Sequence, residues 1–111
     1  MEIKDTIVVA KDFTPTPGAR YDSDGTKFSG ETFLKSVLEP KFTKAVENNY
    51  LLKIVLDGVM GYPSSFVSGS FGKLSLEKTA DKVLKHIVFE SDDNPMRKEK
   101  IIFEIRHPKK K

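Results

Sequence analysis

Two adjacent serines, Ser64 and Ser65, have the residue type and the position that could carry chemistry. They lie in residues 56–72, LDGVMGYPSSFVSGSFG, where an apolar run ends at Asp57 and a glycine-containing loop follows. The pattern predicts that the pair lies where this loop enters a helix. A serine at that point can cap the helix, hold an anion with the helix dipole, act as a nucleophile or accept a phosphoryl group.

The nucleophile has the least support, because a serine nucleophile needs a neighbouring base. The sequence contains two histidines, and their spacing does not indicate a catalytic triad. We expect His86 to lie in a strand and His107 to lie beside a basic tail. Capping, anion binding and phosphorylation of Ser64 all stay open, and no catalytic residue is assigned.

The residues around the serines define a candidate surface. Sites of open α/β sheets lie beyond the carboxyl ends of strands, where Asp57 is expected. This acid either accepts N–H groups of its own loop or has a functional role. Gly58 and Gly61 are expected to adopt backbone angles barred to other residues. Tyr62 and Phe66 complete the predicted surface, with Phe66 as a possible exposed anchor for a partner.

A second candidate lies in residues 14–27, TPTPGARYDSDGTK, which predict an unusually long loop. Arg20 is a planar donor fork suited to a carboxylate or phosphate, and Tyr21 could stack on a ligand. The alternative is a solvated loop with one structural ion pair. The DSDG stretch resembles part of a calcium loop but lacks the remaining ligand positions, so no metal or other cofactor is expected.

Composition narrows the function classes. The chain has 111 residues and no cysteine, which excludes disulfides and cysteine zinc sites. The net charge of +3 comes from Lys109, Lys110 and Lys111, and without them 16 basic residues face 16 acidic ones. PMRKEK and HPKKK lack the aromatic residues of a nucleic-acid motif, which argues against that partner. Without a signal peptide or an apolar span, we expect a cytoplasmic protein with no membrane contact.

Hydrophobic periodicity predicts the elements that position these residues. Residues 7–10, 50–56 and 84–91 are typical of strands, and the middle one is apolar enough to be buried on both faces. Helices are predicted over residues 29–49, capped by Ser29 and interrupted at Pro40, and over residues 64–78. A last helix is predicted from Asn94 and Pro95, with a strand over residues 101–105 as the alternative. This alternation predicts an α/β fold, a small open mixed sheet with helices packed against it.

Several separated motifs resemble a known family. The segments TPGARYDSDGTKFSGETFLKSVLEP, VLDGVMGYPSSFVSGSFGKL and VFESDDNP look like the uncharacterised bacterial STAS-like domain family. More distantly, the loop and serine pair resemble the STAS domains of anti-sigma factor antagonists, where the first serine of an Asp-Ser-Ser/Thr-Gly motif is phosphorylated by a partner kinase. Here Pro63 replaces the Asp and Phe66 replaces the Gly. The resemblance implies a STAS-like domain over residues 1–108, followed by a basic tail at 109–111. It also implies that Arg20 serves the same surface as Ser64, and we expect its neighbour Tyr21 there too.

The resemblance also implies a way of working. Members are often encoded near, or fused to, histidine-kinase-like ATPase modules. We therefore expect a protein-interaction module that regulates such an ATPase by partner switching, controlled by phosphorylation of Ser64. The alternative is a small anion- or metabolite-binding protein, or an enzyme, with a cleft between Arg20, Asp57 and the Ser64 helix.

Overall fold

The centre of the computed structural model, which describes residues 1–18 and 28–109, is a three-stranded sheet. Its strands are β1 (Ile3–Val8), β2 (Leu51–Val55) and β3 (Ile87–Glu90), in the order β1-β2-β3. Both ladders formed by the described strands are parallel. The predicted α/β fold with an open sheet is therefore confirmed, while these strands make a parallel sheet rather than a mixed one.

The two faces of the sheet are unequally covered. Along β2, Leu52 and Ile54 are fully buried, whereas Leu51, Lys53 and Val55 are half-buried. Since side chains alternate between faces, helices bury one face and leave the other partly open. The prediction that β2 is buried on both faces is therefore wrong.

Helices make up most of the rest of the described chain. Two turns are π-helical, at Leu34–Leu38 and Ser68–Gly72. The α-helical segments are α1 (Val9–Asp12), α2 (Gly30–Phe33), α3 (Glu39–Glu47), α4 (Ser64–Val67), α5 (Lys73–Lys78), α6 (Ala80–His86) and α7 (Pro95–Arg106). None of the helices in the described part of the chain is long and apolar enough to cross a membrane.

The first long helix contains α2, a π-helical turn and α3. Ser29 caps it as predicted, its Oγ accepting the N–H of Thr32 at 3.1 Å. The π-helical turn ends two residues before Pro40, which has no N–H for the carbonyl of Ser36 and whose ring would collide with that carbonyl in a regular α-helix. A locally wider turn accommodates the ring, so the predicted interruption occurs as a π-helical turn.

The second long helix contains α4, the second π-helical turn and α5, as predicted for residues 64–78. Its glycine-rich turn packs on the first long helix, and Phe71 of the same turn also contacts Phe89 of β3, with ring centres 5.5 Å apart. A Cβ on Gly30 would lie 2.5 Å from the carbonyl oxygen of Phe66 and 3.0 Å from the carbonyl carbon of Gly69. The two backbones approach too closely for any larger residue at position 30.

The last part of the chain departs from the predicted strand over residues 84–91. Its first residues form the end of α6, which the sequence analysis missed, and β3 begins at Ile87. Thr79, at φ 77°, separates α5 from α6 and caps α6 through its Oγ1. His86 is therefore helical and buried, with Nδ1 3.1 Å from the carbonyl oxygen of Tyr50.

The final helix is confirmed: Asn94 caps α7 by accepting the N–H of Met96 at 3.2 Å, and Pro95 is its first residue. His107 follows directly after this helix, as the C-cap residue. The two histidines therefore lie at the ends of different helices. Lys109 is described, and the rest of the predicted basic tail, Lys110 and Lys111, lies outside the described residues.

Candidate functional site

The serine pair lies at the start of α4. Ser64 is the first helical residue and is exposed, and Ser65 is half-buried. The residue that precedes the helix in the capping position is Pro63, which forms no side-chain cap. The capping role predicted for the serines is therefore wrong, because both already have helical positions. The prediction that Ser64 is accessible at a helix entrance is confirmed.

Asp57 joins the loops that follow two neighbouring strands. Its Oδ1 accepts the N–H of Asp93 at 2.8 Å, and Asp93 Oδ2 in turn accepts the N–H of Gly58 at 3.1 Å. The loop after β2 and the loop after β3 are thus bound to each other by two acids. Asp57 accepts a backbone N–H, as the simpler interpretation expected, although the N–H comes from the other loop.

The hydrogen bonds of Asp93 change its acidity. The N–H of Gly58 chiefly lowers the pKa of the Asp93 carboxyl below its usual value, and the hydrogen bond with the Asp57 side chain and the positive charge of Arg97 act in the same direction. The carboxylate therefore stays charged at neutral pH and keeps accepting the Gly58 N–H.

Only one of the two loop glycines has a special conformation. Gly58 has φ +83°, a value that glycine adopts without steric strain. Gly61 is not in the left-handed region, and a Cβ there would meet nothing within 4 Å. The prediction for Gly58 is confirmed and that for Gly61 is wrong.

Arg97 of α7 fixes the backbone of the loop 58–63, a role the sequence analysis missed. Its Nη1 donates to the carbonyl of Val59 at 2.7 Å and its Nη2 donates to the carbonyl of Met60 at 3.2 Å. The guanidinium also lies 5.5 Å from the centre of the Tyr62 ring. Nothing local in the sequence links a helical arginine to a loop 37 residues earlier.

Tyr62 fixes the other end of the same loop. Its hydroxyl donates to the carbonyl of Leu56 at 3.0 Å, so the loop closes back on the end of β2. Burial raises the pKa of the Tyr62 hydroxyl well above its usual value, against the opposing charge of Arg97. The hydroxyl therefore stays protonated and keeps donating to Leu56.

Phe66 does not belong to the surface. Its side chain is 0% exposed, and its ring centre lies 5.6 Å from that of Phe33 and 6.1 Å from that of Phe13. The predicted role of Phe66 as an exposed anchor is wrong, because α4 turns this side chain into the aromatic core.

Met60 is the exposed apolar residue that the sequence analysis missed. It is 80% exposed at the tip of the loop 58–63. Both of its backbone groups are nonetheless engaged: its N–H donates to the carbonyl of Pro15 at 2.8 Å and its carbonyl accepts from Arg97. The result is a methionine with a fixed backbone and a side chain in solvent, four residues before Ser64.

Three carboxylates lie together at the carboxyl end of the sheet. One oxygen of each of Asp57, Glu90 and Asp92 falls within 4.8 Å of the others. Oxygen ligands of this kind suit a hard cation such as Mg²⁺ or Ca²⁺. Glu90 also forms a 2.6 Å ion pair with Lys53, and Asp57 accepts a backbone N–H. These contacts give both acids a structural use without a metal.

Arg20 and Tyr21 lie outside the described residues, so their predicted place beside Ser64 stays a prediction. Four cavities are lined by described residues alone, and Ser64 and Ser65 line none of these four. The surface that the structure does assemble consists of the loop 58–63, its acids, Arg97 and the exposed Ser64.

Fold and site together define an α/β domain with an ordered loop and an accessible serine beyond the central strand. The model of the STAS-like domain of unknown function (DUF4325) matches residues 29–97. The chain belongs to this STAS-like family, as the sequence motifs predicted. No curated protein and no solved structure matches it.

Proposed function

We propose that this protein is a protein-interaction module whose partner binds the docking surface, defined here as the loop 58–63 together with Ser64. The observation that carries the proposal is the exposure of Met60 on a loop with a fixed backbone. Solvent exposure of a large apolar side chain has no stabilising value for the fold. Binding to a partner would bury that side chain in an apolar environment.

The fixed backbone supports binding because ordering a loop on association costs free energy. Arg97, Tyr62 and Asp93 hold this loop through four hydrogen bonds in the free protein. A partner would therefore meet a surface that is already in its binding conformation, which reduces the entropic cost of docking.

The partner we propose is a histidine-kinase-like ATPase, and its choice rests on the family resemblance. Such an ATPase would phosphorylate Ser64 and lose affinity for the modified protein. Phosphorylation adds roughly −1.5 to −2 charges. Ser64 is exposed to a kinase, and a phosphate within a docked interface would have to be desolvated. The charge would therefore act as the switch.

The first experiment measures binding and modification separately. The protein is mixed with the ATPase encoded beside it, with and without ATP, and analysed by calorimetry and intact-mass spectrometry. We expect binding without ATP, and with ATP a mass increase of one phosphoryl group that Ser64→Ala abolishes. Ser65→Ala is the matched control and should be modified like the wild type.

Two further variants test the surface itself. Ser64→Glu should weaken binding about tenfold or more, because a charge enters the interface. Met60→Ala should weaken binding about tenfold, while Met96→Ala, a truncation of another exposed methionine, should not. Equal effects of Met60→Ala and Met96→Ala would contradict the docking surface. Binding that Ser64→Glu leaves unchanged would contradict the switch.

A further inference from the structure

We propose that the outer edge of β3 binds an extended acidic segment of a partner protein, which adds a strand to the sheet. The segment would carry two carboxylates four residues apart and an apolar residue midway between them. This surface shares no residue with the docking surface around Ser64, so the inference goes beyond the proposed function.

The first supporting observation is the unused backbone of β3. This strand ends the described sheet, and β2 is its described neighbour on one side. The carbonyl of Glu90 accepts the N–H of Leu56 at 2.8 Å and therefore points towards β2. Because backbone groups of successive strand residues point to opposite sides, the N–H and C=O of Phe89 point outwards. No described residue pairs with them.

The second observation is a groove along this edge. A cavity of about 250 Å³ separates β3 from α7, and we call it the β3-edge groove. Its apolar walls come from α6, β3 and α7, and the residues are Leu84, Ile87, Val88, Phe89 and Ile102. Apart from Ile87, these side chains are half-buried rather than buried. An added strand would complete their burial.

The third observation is the charge of the groove. Its remaining lining residues are Lys98 and Arg106, both exposed, and no described acid lines it. The acids on this side, Glu90, Asp92 and Glu99, line a separate neighbouring cavity of about 620 Å³ that shares Lys98 with the groove. No ion pair within the described residues neutralises either cation. An occupant with carboxylates would be complementary to this pair and would be selected over a basic segment.

The spacing of the two cations defines the motif. Lys98 and Arg106 are eight residues apart on α7, and Ile102 lies halfway between them on the same helix face. At 1.5 Å per helical residue, the two cations are separated by ~12 Å along the axis. An extended chain covers ~13 Å in four residues, and residues i, i+2 and i+4 share one face. The proposed motif of the partner segment is therefore an acidic residue, any residue, an apolar residue, any residue and a second acidic residue.

The opposite edge of the sheet does not offer the same features. Beside β1, a cavity of about 390 Å³ is lined mostly by polar and charged residues. Two of these, Lys41 and Asp5, already form an ion pair at 3.2 Å. The combination of unpaired backbone, apolar walls and uncompensated cations is therefore a feature of the β3 side in the described structure.

The binding experiment uses the end-blocked, fluorescein-labelled peptide Thr-Glu-Val-Ile-Val-Glu-Thr and measures its anisotropy with the full chain. The matched probe replaces both glutamates with lysines. We expect saturable binding of the acidic peptide alone, weakened by salt. Lys98→Glu with Arg106→Glu should weaken it about tenfold or more and favour the basic peptide instead. Lys100→Glu, an exposed α7 position outside the groove, is the control and should change binding by less than about twofold.

Amide hydrogen exchange on the wild-type protein tests the geometry without any variant. The acidic peptide should slow exchange of the Phe89 N–H, because that group becomes a donor to the added strand. Unchanged exchange of the Phe89 N–H overturns the proposal. Equal weakening of peptide binding by Lys100→Glu and by Lys98→Glu with Arg106→Glu also overturns it. So does the absence of binding at millimolar peptide. A concentration-dependent dimer that protects Phe89 would overturn it in favour of a second copy of this chain. Each of these results is independent of Ser64, so the proposed function stands or fails separately.

Discussion

Removing the Arg97 side chain should unfold the loop 58–63 locally and lower the free energy of unfolding by about 2–5 kcal/mol. The value follows from three contacts of unequal weight. The carbonyl of Val59, a residue 4% exposed, would lose its donor in a place that water reaches poorly, at a cost of about 1.5–3 kcal/mol. The exposed carbonyl of Met60 would regain water, at a cost of about 0–1 kcal/mol. Loss of the contact with the Tyr62 ring adds about 0.5–1 kcal/mol.

Urea unfolding of Arg97→Ala followed by circular dichroism measures this change. With a slope of about 2 kcal/mol per molar urea, the midpoint should fall by about 1–2.5 M. Arg97→Lys keeps the charge but cannot donate to two carbonyls in the same fixed geometry, so it should recover less than half of the loss. Lys100→Ala removes an exposed side chain from the same helix and should change the free energy of unfolding by less than about 0.5 kcal/mol.

Two results would refute the reasoning. A loss of less than about 0.5 kcal/mol in the free energy of unfolding of Arg97→Ala would mean that the Arg97 guanidinium stabilises the fold no more than an ordinary surface residue does. Full recovery in Arg97→Lys would mean that charge alone, rather than two directed hydrogen bonds, holds the loop. Hydrogen exchange at Met60 and Tyr62 separates the local effect from the global one, since both amides should exchange faster in Arg97→Ala than in wild type.

Other perturbations follow from the same structure. Gly30→Ala should destabilise the protein by about 1–3 kcal/mol, because its Cβ would meet the Phe66 carbonyl oxygen at 2.5 Å. Thermal unfolding measures this loss. Gly61→Ala is the control and should be nearly neutral, because a Cβ there meets nothing within 4 Å. The lowered pKa of Asp93 means that its carboxylate stabilises the folded state above the unfolded pKa of about 3.8, and this stability is lost as pH falls through the lower folded pKa. Asp93→Asn should therefore flatten the acid limb of a stability–pH curve, and an unchanged limb would show that other acids control it.

The class of fold and the position of the serines follow from sequence patterns alone. Alternation of strand and helix patterns predicts an α/β fold, and the motifs around Gly58 and Ser64 indicate the STAS-like family. Local signals are reliable where the cause is local. Ser29 and Asn94 cap their helices as predicted because a cap depends on a few consecutive residues. Gly58 has its positive φ for the same kind of reason.

The role of a side chain was less predictable where it depends on which elements meet. Phe66 follows the exposed Ser64 and the half-buried Ser65, yet the helix turns its ring into a core formed with Phe13 and Phe33. α6 was missed because residues 84–91 contain a short apolar run, and such a run does not distinguish a helix end from a strand.

The assembly of the candidate site depends on contacts between segments that are distant in the sequence. Arg97 reaches Val59 across 38 positions of the sequence, and Asp57 reaches Asp93 across 36. Such contacts arise because neighbouring parallel strands bring their following loops to the same end of the sheet. Sequence spacing does not encode that proximity. The hydrogen bonds that hold the loop 58–63 and the exposure of Met60 therefore follow from the fold rather than from any motif.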